Sequence, residues 1–277
     1  MIILENQAFL RVGLFSMCFF LLVFVEFRSP LVRHREMWTI NRLTNLLFLL
    51  STVGMSRLLI SMSAVSAAIF SQSNQFGFFN VFPVHAGVSF LITLILLDFL
   101  IYLQHRAMHA VPFLWRFHQI HHADERLDIT TGFRFHPGEI FFSMIYKWLI
   151  VCLMGPSIAA VVVFEIILNS FSLFTHSNSK LPSRCQAALE AIFITPQIHW
   201  IHHSIRLFES QKNFGFCLCL WDRLFKTYTH YPLVEVTRLK FGVADMNARQ
   251  NNFKDMLLHP FRNMHGLNYL LGRREGD

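Results

Sequence analysis

The sequence predicts an all-α integral membrane protein. It would have about four to five apolar helices, the last two forming a pair of spans or one hairpin, and a cytoplasmic helical cap holding a histidine-rich site. Three observations carry this. Hydrophobic residues make up 53% of the 277-residue chain, with 31 phenylalanines, and charged residues only 15%, where a soluble domain carries about 25%. Mean hydropathy is +0.42, and the apolar residues fall in runs, several of which reach the roughly 20 residues that span a bilayer. Eight of the fifteen histidines fall in three short patterns.

The first apolar run, Phe9–Phe27, reads as a retained helix. Its n-region holds only Arg11, and Arg28, Ser29 and Pro30 follow in place of a small-residue cleavage site. The second run covers Leu43–Phe70 and the third Val81–Leu103. The fourth and fifth, Ile140–Met154 and Ser157–Phe174, are separated by Gly155-Pro156, which stops a helix. Arg28, Arg33, Arg35 and Arg42 crowd the first connection, whereas Ser71–Asn80 carries no charge. The positive-inside rule makes the first connection cytoplasmic and the second distal. The third run then returns to the cytoplasm, and either reading of the last two runs restores the chain to that side. The cap is drawn from residues 104–138 and 177–277.

The three patterns are His105-x3-His109, His118-x2-His121-His122 and His199-x2-His202-His203. Residues three and four apart share a helix face, so each pattern should aim its imidazoles at a common point. Neutral imidazole suits a transition metal, and eight nitrogens exceed the needs of one tetrahedral ion. A two-metal site is the natural count. Two polar stripes run into the clusters at steps of four, three and four: Asp98, Tyr102, His105, His109 and Glu165, Asn169, Ser172, His176. Asp98 either orients a histidine near the metals or pairs structurally with Arg57. Glu165 and Asn169 are candidate site-lining groups, and His176 is a candidate ninth ligand. His136, before Pro137, reads either as a ligand or as a group hydrogen-bonded at the helix start that Pro137 favours. His34, His85, His230, His259 and His265 have no partner at ligand spacing. Cys217-x-Cys219 is too short and solitary for a zinc knuckle and reads as packing, and five cysteines make no paired disulfide framework.

No HExxH, G-x-S-x-G or GxGxxG motif is present. A histidine-rich metal pair beside a lipid-filled space points to iron and O₂, which together supply an oxidant for unactivated C–H bonds. The segments HRAMH, LWRFHQIHHAD, TTGFRFHPGE, FTHSN, TPQIHWIHHS, NFG and LWDRLFKTY, with FGVAD and LLHPFR near the end, resemble the fatty acid hydroxylase/sterol desaturase superfamily over roughly residues 85–262. The resemblance implies an O₂-dependent enzyme with two iron ions that hydroxylates or desaturates a membrane lipid. It makes His105, His109, His118, His121, His122, His199, His202 and His203 the expected ligands, matches His176 to a further histidine, and matches His136 to a recurrent HP element. It divides the chain into transmembrane helices at 1–80, a catalytic domain at 81–262 and a tail at 263–277.

The resemblance also implies a cytochrome b5-like or ferredoxin-like electron donor. No such domain is present in the chain, so the donor is expected to be a separate protein docking on basic residues such as Arg206, Lys212, Lys226, Arg238 and Lys240. The net charge of +7 does not imply nucleic acid, because the basic residues flank apolar runs and suit anionic headgroups. The rival class is a non-catalytic metal-binding or metal-transport membrane protein, whose ligands would sit near the bilayer midplane. All-nitrogen sites also bind zinc more tightly than ferrous iron, so zinc is an expected contaminant of purified protein.

Overall fold

The computed structural model describes residues 2–33, 40–82, 84–243, 246 and 252–262, with the side chains of 2–9 left aside. The predicted tail, 263–277, lies outside the described residues. Helices α1 (Ile2–Arg28), α2 (Ile40–Leu58), α3 (Ala64–Ser73), α4 (Phe78–Val81) and α5 (Ala86–Ala110) lead into α6 (Pro112–His122). Helices α7 (Pro137–Met154) and α8 (Ile158–His176) follow. The remainder is built from short helices: α9 (Ser183–Glu190), α10 (Pro196–His202), α11 (Leu207–Ser210), α12 (Leu220–Leu224), α13 (Leu233–Val236) and α14 (Phe253–Arg262). Among the described residues the only β-type pairings are three isolated bridges, so the all-α expectation holds.

Among the described residues, four helical segments are long and apolar enough to cross a membrane: Leu10–Arg28, Ala86–Ala110, Pro137–Met154 and Ile158–His176. Their outward faces carry exposed Phe20, Phe24, Leu91, Ile95, Leu149 and Leu153, an apolar surface larger than a water-soluble fold tolerates. The protein is an integral membrane protein. The second apolar run is not a single span. It breaks at a 3₁₀ turn, Ile60–Met62, and restarts where the Ser63 hydroxyl accepts from the Ser66 amide. Helix α2 also turns Asn41, Thr44, Asn45 and Thr52 inward, a face with polar work inside the fold rather than toward lipid.

Helices α3, α5, α7 and α8 share a core built on Ala67, Ala68, Leu97, Val151, Val161 and Phe164. The alanines let α3 approach closely. Gly155 caps α7 with φ +64, and a Cβ there would meet the Asn80 amide nitrogen at 2.5 Å. Glycine thereby closes the α7–α8 hairpin over the loop before α4. At the opposite end, the Leu31 amide bonds to the Asn178 carbonyl (3.1 Å), and Arg42 pairs with Asp128 at 2.6 Å. The described ends of the basic first connection, with Arg28, Arg33 and Arg42, thus lie at the same end of the bundle as the start of α7 and the end of α8.

A buried polar network fastens α2 to that end. Asp124 accepts from Asn45 (2.9 Å), Thr131 (2.9 Å) and the Arg126 amide (3.1 Å). Arg134, fully buried, donates to the Ile120 carbonyl (2.9 Å) and Asn45 (3.0 Å), with Asp124 at 3.9 Å. Removing one member of such a network strands the others without water. Asp124→Ala is expected to cost about 3–5 kcal/mol, read as a lowered thermal midpoint in detergent, with Asp124→Asn intermediate; equal midpoints for all three proteins would show that the network adds nothing.

Candidate metal centre

Local sequence sets the three histidine patterns face to face. His105 and His109 occupy the last two turns of α5. One residue, Val111, separates α5 from α6, and Pro112 starts α6 at the position where a missing N–H costs nothing. The chain therefore folds straight back and brings His118, His121 and His122 against α5. His176 ends α8. His199 and His202 lie on α10, which Pro196 starts, and His203 follows as its C-cap.

All nine are buried, and their donor nitrogens form two groups. The first holds His105, His109, His118, His122 and His202; the second holds His121, His176, His199 and His203. Within each group one nitrogen per residue lies within 4.8 Å of every other. The expectation that each pattern converges on one point is met only by the first. Adjacent residues on a helix point about 100° apart, so His121 and His122 part company, as do His202 and His203. The second and third patterns each serve both groups. His176, outside all three patterns, completes the second group, with its Nε2 at 2.9 Å from His121 and 3.1 Å from both His199 and His203.

The donor set fits transition-metal ions. Nε2–Nε2 separations run from 2.9 Å to 3.2 Å, as in His109–His122 (3.1 Å), His202–His105 (3.0 Å) and His203–His199 (3.2 Å). Nitrogens at right angles around an ion about 2.1 Å away would stand about 3 Å apart. Four imidazoles are locked with Nε2 inward, because their Nδ1–H donates to an oxygen that can only accept. His105 donates to the Phe214 carbonyl (2.8 Å), His202 to that of Lys212 (2.7 Å), His176 to that of Ser172 (2.6 Å), and His118 to the Glu139 carboxylate (2.8 Å). Burial, reinforced by neighbouring imidazoles, holds His121, His122, His199 and His203 well below the usual histidine value. His202 is pushed down to about 3, again chiefly by burial. Neutral imidazoles with free lone pairs are the form that binds metal.

The other predicted residues divide. His136 lies outside both groups. Its Nδ1 accepts from the Gly138 amide (2.9 Å) and its Nε2 donates to the Leu257 carbonyl (2.9 Å), so the ring caps α7 and has no lone pair left for an ion. Asp98 touches neither a histidine nor Arg57 among the described residues. Its carboxylate instead accepts from the Cys217 and Leu218 amides (3.2 and 3.3 Å) and the Trp221 indole (2.8 Å). It anchors the loop whose Phe214 carbonyl orients His105. Glu165 forms an ion pair with Arg11, and Asn169 lines the adjoining cavity. Cys217 and Cys219 are buried.

Sequence reasoning passed over two carboxylates. Glu139 orients His118, and its one sequence signal is an acid opening an apolar run. Asp222 clasps the same loop as Asp98, accepting from the Phe214 and Gly215 amides (2.9 and 2.6 Å) and the Thr227 hydroxyl (2.6 Å). Burial raises the Asp222 carboxyl above its usual value, against these hydrogen bonds.

A cavity of about 870 Å³ opens onto His105 and His118 of the first group and His121, His176 and His199 of the second. Its walls are mostly apolar, among them Val65, Ile101, Phe133, Met144, Leu168 and Phe216.

Fold and site together define a membrane-embedded helical protein built around a buried polyhistidine centre beside an apolar chamber. Residues 90–227 match the fatty acid hydroxylase family, and the chain belongs to that family through this segment. It is 30% identical over 168 residues to the ornithine lipid hydroxylase OlsE of Rhizobium tropici, covering 61% of this chain and 49% of that protein. It is 31% identical over 137 residues to the alkylglycerol monooxygenase of Xenopus tropicalis (50% and 30%) and 31% over 131 residues to that of Homo sapiens (47% and 28%). The chain thus spans half or less of the length of these curated relatives. No solved structure matches.

Two substitutions separate ligand orientation from helix capping. Glu139→Gln is expected to weaken metal retention by roughly 10–100-fold, as loss of a group orienting a ligand does. His136→Gln is expected to leave metal content unchanged while lowering stability by about 1 kcal/mol. Metal analysis after graded chelator treatment checks both, and the reverse pattern would return His136 to the ligand set.

Proposed function

We propose that this protein is a membrane-bound, O₂-dependent di-iron oxygenase that hydroxylates the hydrocarbon chain of a lipid. The observation that carries the reading is the continuity of the apolar cavity with both imidazole groups. A hydrocarbon placed there would lie against the centre with water excluded. The names of its relatives, a lipid hydroxylase and alkylglycerol monooxygenases, support the same reaction class.

His105, His109, His118, His122 and His202 would hold one iron ion, and His121, His176, His199 and His203 the other. Iron bound there would activate O₂ and supply the oxidising power for a C–H bond. The chain's own residues provide the rest. Glu139 and the Phe214, Lys212 and Ser172 carbonyls fix the imidazole tautomers before substrate arrives, so little reorganisation remains for the reaction itself. The apolar walls hold the lipid chain and keep competing water away.

Overall, R–H, O₂, two electrons and two protons give R–OH and water. The two electrons require a reductant, which we assign to a separate cytochrome b5-like or ferredoxin-like donor. Arg206, Arg238 and Lys240 line a groove of about 550 Å³ with exposed Phe208. Its lining begins at Ile205, two residues after His203, and its three basic residues outnumber Glu209 and Glu235, which makes it a suitable docking place for an acidic donor. We place this end on the cytoplasmic face, because it carries the basic first connection.

Lipid analysis of a host expressing the chain or His121→Ala, under ¹⁸O₂, tests the reaction. One labelled oxygen in a lipid found only with the intact chain is the expected result. A new double bond without label would make the enzyme a desaturase. An unchanged lipid profile, with iron and reductant supplied and His121→Ala retaining normal membrane insertion, would favour a non-catalytic metal-binding protein.

A further inference from the structure

The cavity is not uniformly apolar, and its charged residues are unequally satisfied. Five line it besides the histidines: Arg11, Arg57, Glu139, Lys147 and Glu165. Both carboxylates are engaged, Glu139 with His118 and Glu165 with Arg11. Arg57 and Lys147 make no ion pair or hydrogen bond among the described residues. The lining therefore carries three cations against two carboxylates, with Arg57 and Lys147 the unpaired ones, which selects for a negatively charged guest.

Their position follows from two independent helices. Lys147 lies eight residues beyond Glu139 on α7, about 12 Å at the helical rise. Arg57 lies twelve residues beyond Asn45 on α2, about 18 Å by the same measure. Asn45 is tied to Thr130 and Arg134, in the segment between the second histidine pattern and α7. Both cations thus sit well along the cavity from the imidazole groups. Leu49 and Val53 precede Arg57 on α2, and Ile140 and Met144 precede Lys147 on α7, a stretch that offers a guest hydrocarbon contacts.

We propose that Arg57 and Lys147 anchor the anionic end of the substrate, a single-chain lipid ending in a carboxylate or phosphate monoester. Oxidation then falls on the chain at a distance from that end, not on a carbon beside it. This rests on the lipid-oxygenase reading for the identity of the cavity as the substrate site. The cavity lies within the roughly 300–1,000 Å³ of small-molecule sites. The arrangement follows the usual division of labour, in which apolar walls supply affinity and a few charged groups fix register.

Equilibrium binding of radiolabelled hexadecanoate, hexadecyl phosphate and hexadecanol to the full chain in phosphatidylcholine nanodiscs tests the anchor without turnover. The anions are expected to bind about tenfold or more tighter than the alcohol, the scale of one charged hydrogen bond. R57Q/K147Q should erase that difference while leaving hexadecanol binding and metal content unchanged, and R57K/K147R should restore it. Hexadecanoate alone showing the preference would assign a carboxylate, hexadecyl phosphate alone a phosphate. Equal binding of all three ligands, or an anion preference that survives R57Q/K147Q, overturns the proposal and leaves the two cations as groups reaching for bilayer headgroups. Should the double variant not fold, the same comparison is made on R57Q and K147Q singly. Repeating the binding on His121→Ala separates the two readings. Anion preference without any oxidised lipid from the intact chain would sink the oxygenase reading alone. In the labelled product, a hydroxyl on the carbon adjoining the anionic group would overturn the placement even if the anchor held.

Discussion

Nine imidazoles cannot be packed together in a dry interior without a reason for their nitrogens to face one another. At separations near 3 Å, any two protonated rings would repel strongly at low dielectric, and neutral rings offer each other lone pair against lone pair. Nε2 of His118 has no hydrogen-bond partner among the described residues, and a buried polar nitrogen without a partner costs free energy. Coordination of a cation by the inward Nε2 atoms would resolve this conflict of lone pairs. Much else in the structure follows from holding this arrangement still: the one-residue joint at Val111, the proline-started α6 and α10, and the three carbonyls and one carboxylate that fix four tautomers.

Much of this was legible in the chain because its signals are local. Apolar runs, the Gly155-Pro156 break and the i, i+3, i+4 spacing of histidines depend on residues within a turn or two of one another. His176 was reachable by the same logic, as the last step of a stripe down α8. The run Leu43–Phe70 misled because average hydropathy conceals a facial preference. Asn41, Thr44, Asn45 and Thr52 are scattered in sequence but share the side of α2 that meets Asp124 and Arg134.

What stayed hidden depended on partners far away in the chain. Asp98 looks like a metal-site acid from its stripe, yet its acceptors are filled by residues 217–221, which no periodicity on α5 reveals. His136 presents a histidine at the right end of the right helix, and only the Leu257 carbonyl shows that its second nitrogen is taken. Sorting into two groups is likewise non-local, since nothing in HQIHH announces that neighbouring rings will serve different centres.

The loop clasped by Asp98 and Asp222 also sets an order of assembly. Residues 105–122 leave the ribosome long before residues 199–222, and His202 joins His105 across 97 positions. Until the later segment emerges, the first group lacks one donor and the second lacks two, while His105 has no carbonyl to hold its ring. The helices carrying the early histidines have then already been synthesised and can enter the bilayer. Biogenesis therefore separates into two stages, an insertion stage driven by apolar helices and a later closure that completes the donor set. A metal ion would be captured only by the closed chain, so the finished C-terminal third would act as the checkpoint for maturation.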